Sequence, residues 1–583
     1  MPIKPSQSTL ATPCFDRRSN AQLIKHDNCV IVRANNAEIE QLPNVIVASW
    51  DLSLWRDQQV LGDGFQMLCQ WRGTLQHPQR VSRCADNDND YRRYPADQVR
   101  YYNYLIVEVE PSKAYWLCGF ASCDQFNGYF QYRDQGLLVA VVETEQLSLA
   151  ARQELSLPMP VCVAGHSIDE VTSQFAKAIQ HHHGVPRFNN SLQGWCSWYH
   201  YYEHITTDII AANSDALSKQ FPQAKVVLID DGYQRAMGDW LLPSDKFAGG
   251  VESAIDAIER ANCQPGIWLA PFIAERSSQL LQQHPDWFVR NQQGRPIPAD
   301  DITYGGWRCT PWYLLDTSQD GPCQYLRDTV AAMKQRWGIV LFKLDALYWG
   351  ALQVPRANPM TSVEAYRRGL AAIREGAGDA VVLGCNAPMW PSLGLVDAMR
   401  TSDDIHRHMH RFSQLHQENA CRSWQHNKLW QIDQDCLTVS DLDTAEQQQH
   451  ASPSEYLFHA TSMLTHGGNL ILGDSVLAMP SLAHNTIQRL FDRWQQSEDS
   501  AKYHDLDFSQ ARLRLSAELE LFLLFNLHRD VTQQHIVSCD EPVDWFDYWQ
   551  QIPLADQQTE FRCNVEPKQA RAILAKRRGQ SSA

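Results

Sequence analysis

Apolar residues in the first 185 positions recur in short alternating or β-branched runs, at 29–33, 44–50, 104–109, 114–118 and 136–143, with turn residues between them such as NDND at 87–90. Period-two patterning in runs this short predicts strands, and several at this spacing predict an antiparallel β-sandwich. A helical stretch over 167–181 leads out of this region. His181, His182 and His183 lie at that exit; adjacent histidines point different ways, so they read as a solvated linker rather than a ligand set.

From residue 192 the pattern changes to apolar strands alternating with helical segments. Eight strand candidates follow: LQGWCSWY (192–199), KVVLIDDG (225–232), QPGIWLAPF (264–272), GIVLFKLDAL (338–347), AVVLGCNAP (380–388), AMRTSDD (398–404), LWQIDQD (429–435) and GNLILGD (468–474). Segments 208–220, 250–260, 324–336 and 363–374 fit helices between them. Eight such units predict a central (β/α)₈ TIM barrel. Beyond residue 500 the runs 511–527, 534–539 and 569–576 predict a small C-terminal antiparallel β domain. The expected division is 1–188 for an N-terminal β-sandwich, 189–497 for the barrel and 498–583 for the C-terminal β domain.

Most barrel strands end in polar groups: Asp230 and Asp231, Asp345, Cys385, Asp403 and Asp404, Asp433 and Asp435, and Asp474. Barrel enzymes place their chemistry at these strand ends. An Asp after a strand can also cap the next helix, which leaves Asp433, Asp435 and Asp474 open to either role. That alternative suits Asp345 less, because it sits inside an otherwise apolar strand.

Composition narrows the classes. The 583 residues hold 51 Lys plus Arg against 67 Asp plus Glu, a formal net charge of −16. So acidic a chain repels phosphate backbones and anionic surfaces, so neither nucleic acid nor a membrane is the expected partner, and a neutral small molecule is. The opening MPIKPSQSTLATPCFDRRS has no apolar core of a secretory signal, and runs such as 137–142 fall far short of the ~20 residues of a membrane span. The 16 cysteines are scattered with no CxxC pair, which reads as reduced, mostly buried thiols in a cytoplasmic protein, with neither disulfides nor structural zinc.

Two motifs carry candidate chemistry. In FKLDALY (342–348), strand alternation sends Lys343 and Asp345 to the same side, where the lysine favours an ionised, nucleophilic carboxylate. In MRTSDDI (399–405), Arg400, Ser402 and Asp404 share a face if the strand persists. Asp403 adds a second negative charge, which raises a carboxyl pKa and suits a general acid. Two carboxylates on two strands of one barrel describe a glycosidase pair.

At these residues the sequence resembles the α-galactosidase group of glycoside hydrolase family 36, the melibiase-type barrel enzymes. The resemblance covers most of 192–475. It rests on GWCSWYHYY (194–202), VLIDDGYQ (227–234), GDW followed by DKF (238–247), GIWLAPF (266–272), FKLDALY, GCNAP (384–388), MRTSDD and WQIDQDCL (430–437), all in the family's order. It implies Asp345 as nucleophile and Asp404 as acid/base, with Asp403 the rival for the second role. It also implies Asp230 and Asp231 as binders of sugar hydroxyls, Trp268 as a pocket wall, and Lys343, Cys385 and Arg400 as substrate contacts. Trp195 and Trp198 belong to the first-strand motif as sugar contacts or core, and Trp240 to a loop rimming the pocket.

One departure bears on the substrate. The family usually continues Cys-Gly where Asn386 follows Cys385, at the edge near the sugar's C2 substituent. The histidines of DIHRHMHRF (404–412), His406, His408 and His410, read as a polar βα loop rather than a metal site. The resemblance implies retaining exo-α-galactosidase action on oligosaccharides such as melibiose or raffinose, without metal or organic cofactor. The alternatives are α-N-acetylgalactosaminidase, a raffinose-synthase-like transglycosidase, and a non-catalytic carbohydrate-binding protein.

Overall fold

The computed structural model describes residues 21–26, 28–187, 190–444, 447–477 and 479–578. Its middle is an eight-stranded parallel sheet of β1 (Gln193–Cys196), β2 (Val226–Ile229), β3 (Gln264–Leu269), β4 (Leu341–Leu344), β5 (Val381–Gly384), β6 (Ala398–Arg400), β7 (Gln431–Asp433) and β8 (Leu470–Leu472). The strands lie in the order β7-β6-β5-β4-β3-β2-β1-β8, the order of a nearly closed (β/α)₈ barrel. Parallel bridges from Asp433 to Asn469 and from Leu437 to Leu472 carry pairing from the end of β7 back toward β8. The cores of β2, β4 and β5 are buried at every position, as strands covered on both faces must be, which is why their sequences are almost wholly apolar, with Lys343 of β4 the exception.

The helices are α1 (Thr207–Gln220), α2 (Gly250–Arg260), α3 (Asp320–Trp337), α4 (Ser362–Ala377), α5 (Met409–Arg422), α6 (Pro453–His466) and α7 (Ser481–Gln496). Their ends follow local chemistry. Thr361 with Glu364 and Ser452 with Glu455 form capping boxes on α4 and α6, and such caps contribute about 1 kcal/mol each. Gly338 stops α3 at φ 60°, a left-handed conformation that costs glycine nothing. The run 404–412 is not a loop throughout: α5 takes it over at Met409. His408 caps that helix by accepting the Arg411 N–H at 3.2 Å, while Met409, Phe412 and Leu415 bury one face.

The N-terminal region is antiparallel. One sheet has nine strands, among them Val45–Asp51, Tyr101–Val109, Ala114–Gly119, Asn127–Arg133 and Leu137–Glu143; a second has three, Ala21–Lys25, Cys29–Ala34 and Glu154–Pro158. Val32 of the small sheet and Val47, Trp50, Leu105, Trp116, Phe130 and Leu138 of the large one share a core. Helix Ile168–His183 follows, capped by Ser167. His181–His183 form its last turn rather than a solvated linker. The His183 side chain is buried and accepts the Cys123 N–H at 3.1 Å, and burial depresses its pKa to about 4.

The C-terminal sheet has six strands in the order Lys502–Tyr503, Gln510–Arg514, Leu519–Asn526, Gln569–Lys576, Gln533–Asp547, Pro553–Val565. The single strand expected over 511–527 is a hairpin. Its turn is fixed by the Ser516 hydroxyl, which accepts the N–H groups of Glu518 and Leu519 at 3.1 Å each.

Two compact units make up the chain. One comprises the N-terminal region with 234–245 and 268–397; the other comprises 187–233, 246–267 and the chain from 398 onward. No helix among the described residues is long and apolar enough to cross a membrane. The described cysteines are free thiols, most of them buried.

Candidate active site

Each unit carries its own set of strand-end groups. In the first, Asp345 stands one residue past β4. Its backbone N–H donates to the Leu269 carbonyl at 2.7 Å, which registers it against β3. Its two carboxyl oxygens are held separately. One accepts the Ala346 N–H at 2.6 Å, and the other accepts the Trp268 indole N–H at 3.2 Å. Ala346 adopts φ 52° to make that turn, an uncommon conformation for a residue with a Cβ and one that clusters at functional sites. Trp268 packs edge-on against Trp240, ring centroids 5.9 Å apart. Both rings are buried, and the Trp240 indole N–H has no hydrogen-bond partner among the described residues. Lys343 is buried one strand step before Asp345.

Cys385 and Asn386 follow β5 in the same unit, both buried. Asn386 has φ 44°. Glycine and asparagine are the residues that adopt this region most readily, which explains physically how Asn386 stands where the resembled family has glycine. Its carbonyl accepts the Tyr348 N–H at 2.8 Å, and its side-chain oxygen accepts the Tyr91 hydroxyl at 3.4 Å. Tyr91 comes from the N-terminal region. Tyr304 is a further residue that motif reading did not reach. Its hydroxyl pKa is pushed well above the usual value by burial first, and then by the charge of Asp345.

In the second unit, β6 ends at Arg400, so Ser402 does not share a strand face with Asp404. Instead the Ser402 hydroxyl donates to the Gln434 carbonyl at 3.0 Å. The two adjacent aspartates have opposite surroundings. Asp403 is 1% exposed. Its carboxylate accepts the Asp404 N–H at 2.8 Å and the Gln414 amide at 3.2 Å, and it forms an ion pair with Arg411. Asp404 has 54% of its side chain exposed, and one oxygen is held by the Arg400 guanidinium at 2.8 Å and the Tyr199 hydroxyl at 3.1 Å. Arg400 also meets Asp435 at 2.8 Å. Tyr199 lies inside the first-strand motif without having been singled out there, and Asp435, a strand-end candidate, serves here as the second partner of Arg400.

Asp230 and Asp231 follow β2 and are 2% and 1% exposed. Asp230 accepts the Asp231 N–H at 2.8 Å and the Cys196 thiol at 3.3 Å, while its own N–H donates to the Ser197 hydroxyl at 3.0 Å. Trp195 is fully buried and donates its indole N–H to the Asp474 carbonyl at 2.8 Å, whereas Trp198 is half-buried beside Tyr202. The remaining strand-end aspartates bind the structure together rather than capping helices. Asp433 accepts the Asn469 amide at 3.1 Å. Asp435 accepts the Ile405 N–H at 2.7 Å. Asp474 pairs with Arg407 at 2.7 Å and accepts the Val439 N–H at 2.7 Å.

Over residues 161–348 the chain matches the family model described as Melibiase. An A type blood α-D-galactosamine galactosaminidase of Flavonifractor plautii is 32% identical over 148 residues, which are 24% of this chain and 13% of that protein. The match thus spans well under a fifth of that relative's length, and a quarter at most of the other curated relatives compared. Among solved structures, an α-galactosidase from Thermus thermophilus in complex with p-nitrophenyl α-D-galactopyranoside superposes with TM-score 0.61 at 21% identity, covering 86% of this chain and 97% of that one. The GH36 α-galactosidase AgaA of Geobacillus stearothermophilus gives TM-score 0.64 at 12% identity, covering 95% and 81%. The parallel barrel, with antiparallel β regions before and after it in the chain, has the fold of these α-galactosidase structures, and the Melibiase match with it supports an α-galactosidase-type enzyme. Within that class the melibiase-type resemblance read from the motifs holds, and its matched segment includes Asp230, Asp231, Trp268, Lys343 and Asp345.

Proposed function

We propose that this chain is a retaining exo-α-galactosidase with Asp345 as nucleophile and Asp404 as acid/base. The observation that carries the reading is the contrast at the end of β6. Asp403 is buried and its charge is taken up by Arg411, whereas Asp404 is half open and held from one side by Arg400 and Tyr199. A general acid must reach the leaving oxygen, and of the two only Asp404 has an exposed carboxyl to offer.

Asp345 attacks the anomeric carbon while Asp404 gives its proton to the leaving oxygen; the C–O bond breaks and a galactosyl ester forms on Asp345. Asp404 then takes a proton from water, which attacks the same carbon and releases the sugar and the Asp345 carboxylate. Retention in this manner needs the two carboxyls about 5–5.5 Å apart across the bound sugar. The Trp268 indole N–H and the Ala346 N–H orient the nucleophile. Asp230 and Asp231 receive the C4 and C6 hydroxyls, Trp268 and Trp240 wall the pocket, and Lys343, Cys385 and Trp198 complete the contacts. The buried, unpaired indole N–H of Trp240 suits a sugar hydroxyl. The bonding of Arg400 to both Asp404 and Asp435 supports a role in orienting the acid. Buried free thiols fit a reducing, cytoplasmic setting.

A second reading, α-N-acetylgalactosaminidase, is favoured by Asn386 with its Tyr91 contact. The discriminating experiment is kcat/KM for aryl α-galactoside, α-N-acetylgalactosaminide and α-glucoside on one preparation. Galactoside should exceed glucoside by up to roughly 10⁴-fold, because a fixed carboxylate serves either an axial or an equatorial C4 hydroxyl. Equal values for those two would overturn the assignment, and a faster N-acetylgalactosaminide would move it to the second reading.

A further inference from the structure

Burial alternates along the chain leaving Asp404, from a segment that bends at 407 and 408 into the first turn of α5. Ile405, Arg407 and Met409 are buried, while Asp404, His408 and His410 are exposed and His406 half-exposed. The three imidazoles form a row along this segment, and the one nearest in sequence, His406, feels the Asp404 charge. Their rings are nearly parallel, at 22° and 7°, with centroids 6.2 Å apart at each step. This row sits on a fixed rail. The Arg407 guanidinium donates to the Ser440 carbonyl at 2.8 Å, the Tyr199 carbonyl at 3.0 Å and Asp474 at 2.7 Å, and its N–H donates to the Gln449 side chain at 3.1 Å. The Gln449 amide in turn donates to the Tyr202 hydroxyl at 3.2 Å. The His406 and His410 rings make no hydrogen bond to protein among the described residues, and His408 spends one nitrogen on capping α5.

From this geometry, and resting on the acid/base role proposed for Asp404, we infer that His406, His408 and His410 form the subsite for a leaving group that is itself a saccharide. Whatever Asp404 protonates has its leaving group within one hydrogen bond of that carboxyl, so the next side chains along the open edge meet the departing sugar. Burial, and then the Arg411 charge, keep His406 and His408 below the ordinary histidine pKa, so both are uncharged at neutral pH. A neutral imidazole offers one donor and one acceptor, the pair that neighbouring sugar hydroxyls require.

The test compares α-galactosyl fluoride, whose leaving group occupies no such subsite, with raffinose and stachyose. His406→Ala and His410→Ala remove the rings, and His408→Asn keeps an acceptor for the helix cap. Each lost hydrogen bond should cost about 3- to 10-fold, so the combined variant should lose about 10- to 100-fold in kcat/KM on stachyose, mainly through KM. The fluoride should stay within about twofold, and the thermal midpoint should be unchanged. Equal losses on all substrates, or none on stachyose, would overturn the subsite while leaving the catalytic reading intact. A wild-type protein inactive on the fluoride and on both oligosaccharides would instead overturn the catalytic reading, and the subsite with it.

Discussion

Asp403→Asn and Asp404→Asn differ by one position and should have opposite consequences. Asp403 is 1% exposed and pairs with Arg411, and removing one partner of a buried pair costs about 3–5 kcal/mol because the other charge is stranded. Part of that cost is returned. Glu418 is only partly ionised beside it, since burial first and the Asp403 charge second push its pKa up to about 7; without Asp403 it ionises more readily and partly replaces the lost anion. The net loss for Asp403→Asn is therefore about 3 kcal/mol. Asp404 is 54% exposed, and Arg400 keeps Asp435 when it is replaced, so Asp404→Asn should cost less than about 1 kcal/mol. Activity should invert the order. Asp404→Asn should lose about 10²–10⁴-fold in kcat/KM on raffinose and less on an aryl galactoside that leaves without protonation. Asp403→Asn should retain most activity in the folded fraction. Thermal melts and initial rates on both variants read the two effects separately. A stable, inactive Asp403→Asn beside an active Asp404→Asn would refute the reasoning and transfer the acid/base role to Asp403.

Two further outcomes follow from the same structure. Asn386 holds φ 44°, so Asn386→Gly should stay within about 1 kcal/mol of wild type in a melt while Asn386→Val loses about 1–3 kcal/mol; equal melts would remove the backbone explanation for the asparagine. Burial depresses the pKa of His183 and His426 to about 4 and of His459 to about 3, from an ordinary 6.5. The unfolded chain then takes up protons that the folded one refuses. Stability present above pH 6.5 is lost as pH falls toward 4, by up to about 1.4 kcal/mol per pH unit for each histidine. His459→Phe, which keeps the stack on Phe412, should flatten urea-unfolding stability between pH 6.5 and 5 by about one proton; an unchanged slope would exclude His459 as a source.

The barrel was legible because its strands are buried on both faces and so are written as continuous apolar runs, ValValLeuIle at 226–229 among them. Weaker signals went unread. Strand Asn127–Arg133 opens with Asn127 and Gly128 and ends in polar residues, and Gly128 is required there because a Cβ would meet the Phe120 ring at 2.4 Å. The hairpin turn at 515–518 was hidden by apolar residues on both sides. Within the site, Asp345 and Asp404 were visible as carboxylates at strand ends, but their supports were not. Tyr199 and Asp435 reach Arg400 and Asp404 from distant segments, and Tyr91 reaches Asn386 across 295 residues of sequence. No local spacing encodes contacts of that range. Asp433, Asp435 and Asp474 look like catalytic candidates by position, and only their buried partners show what they hold.

The central claim is a covalent galactosyl intermediate on Asp345, and the stereochemistry of hydrolysis tests it most directly. Proton NMR of an aryl α-galactoside digest, recorded before mutarotation, resolves the anomer released first. Two displacements at one carbon predict α-galactose first from the wild-type protein and no release from folded Asp345→Asn. β-Galactose appearing first, or near-wild-type release by Asp345→Asn, would contradict the account.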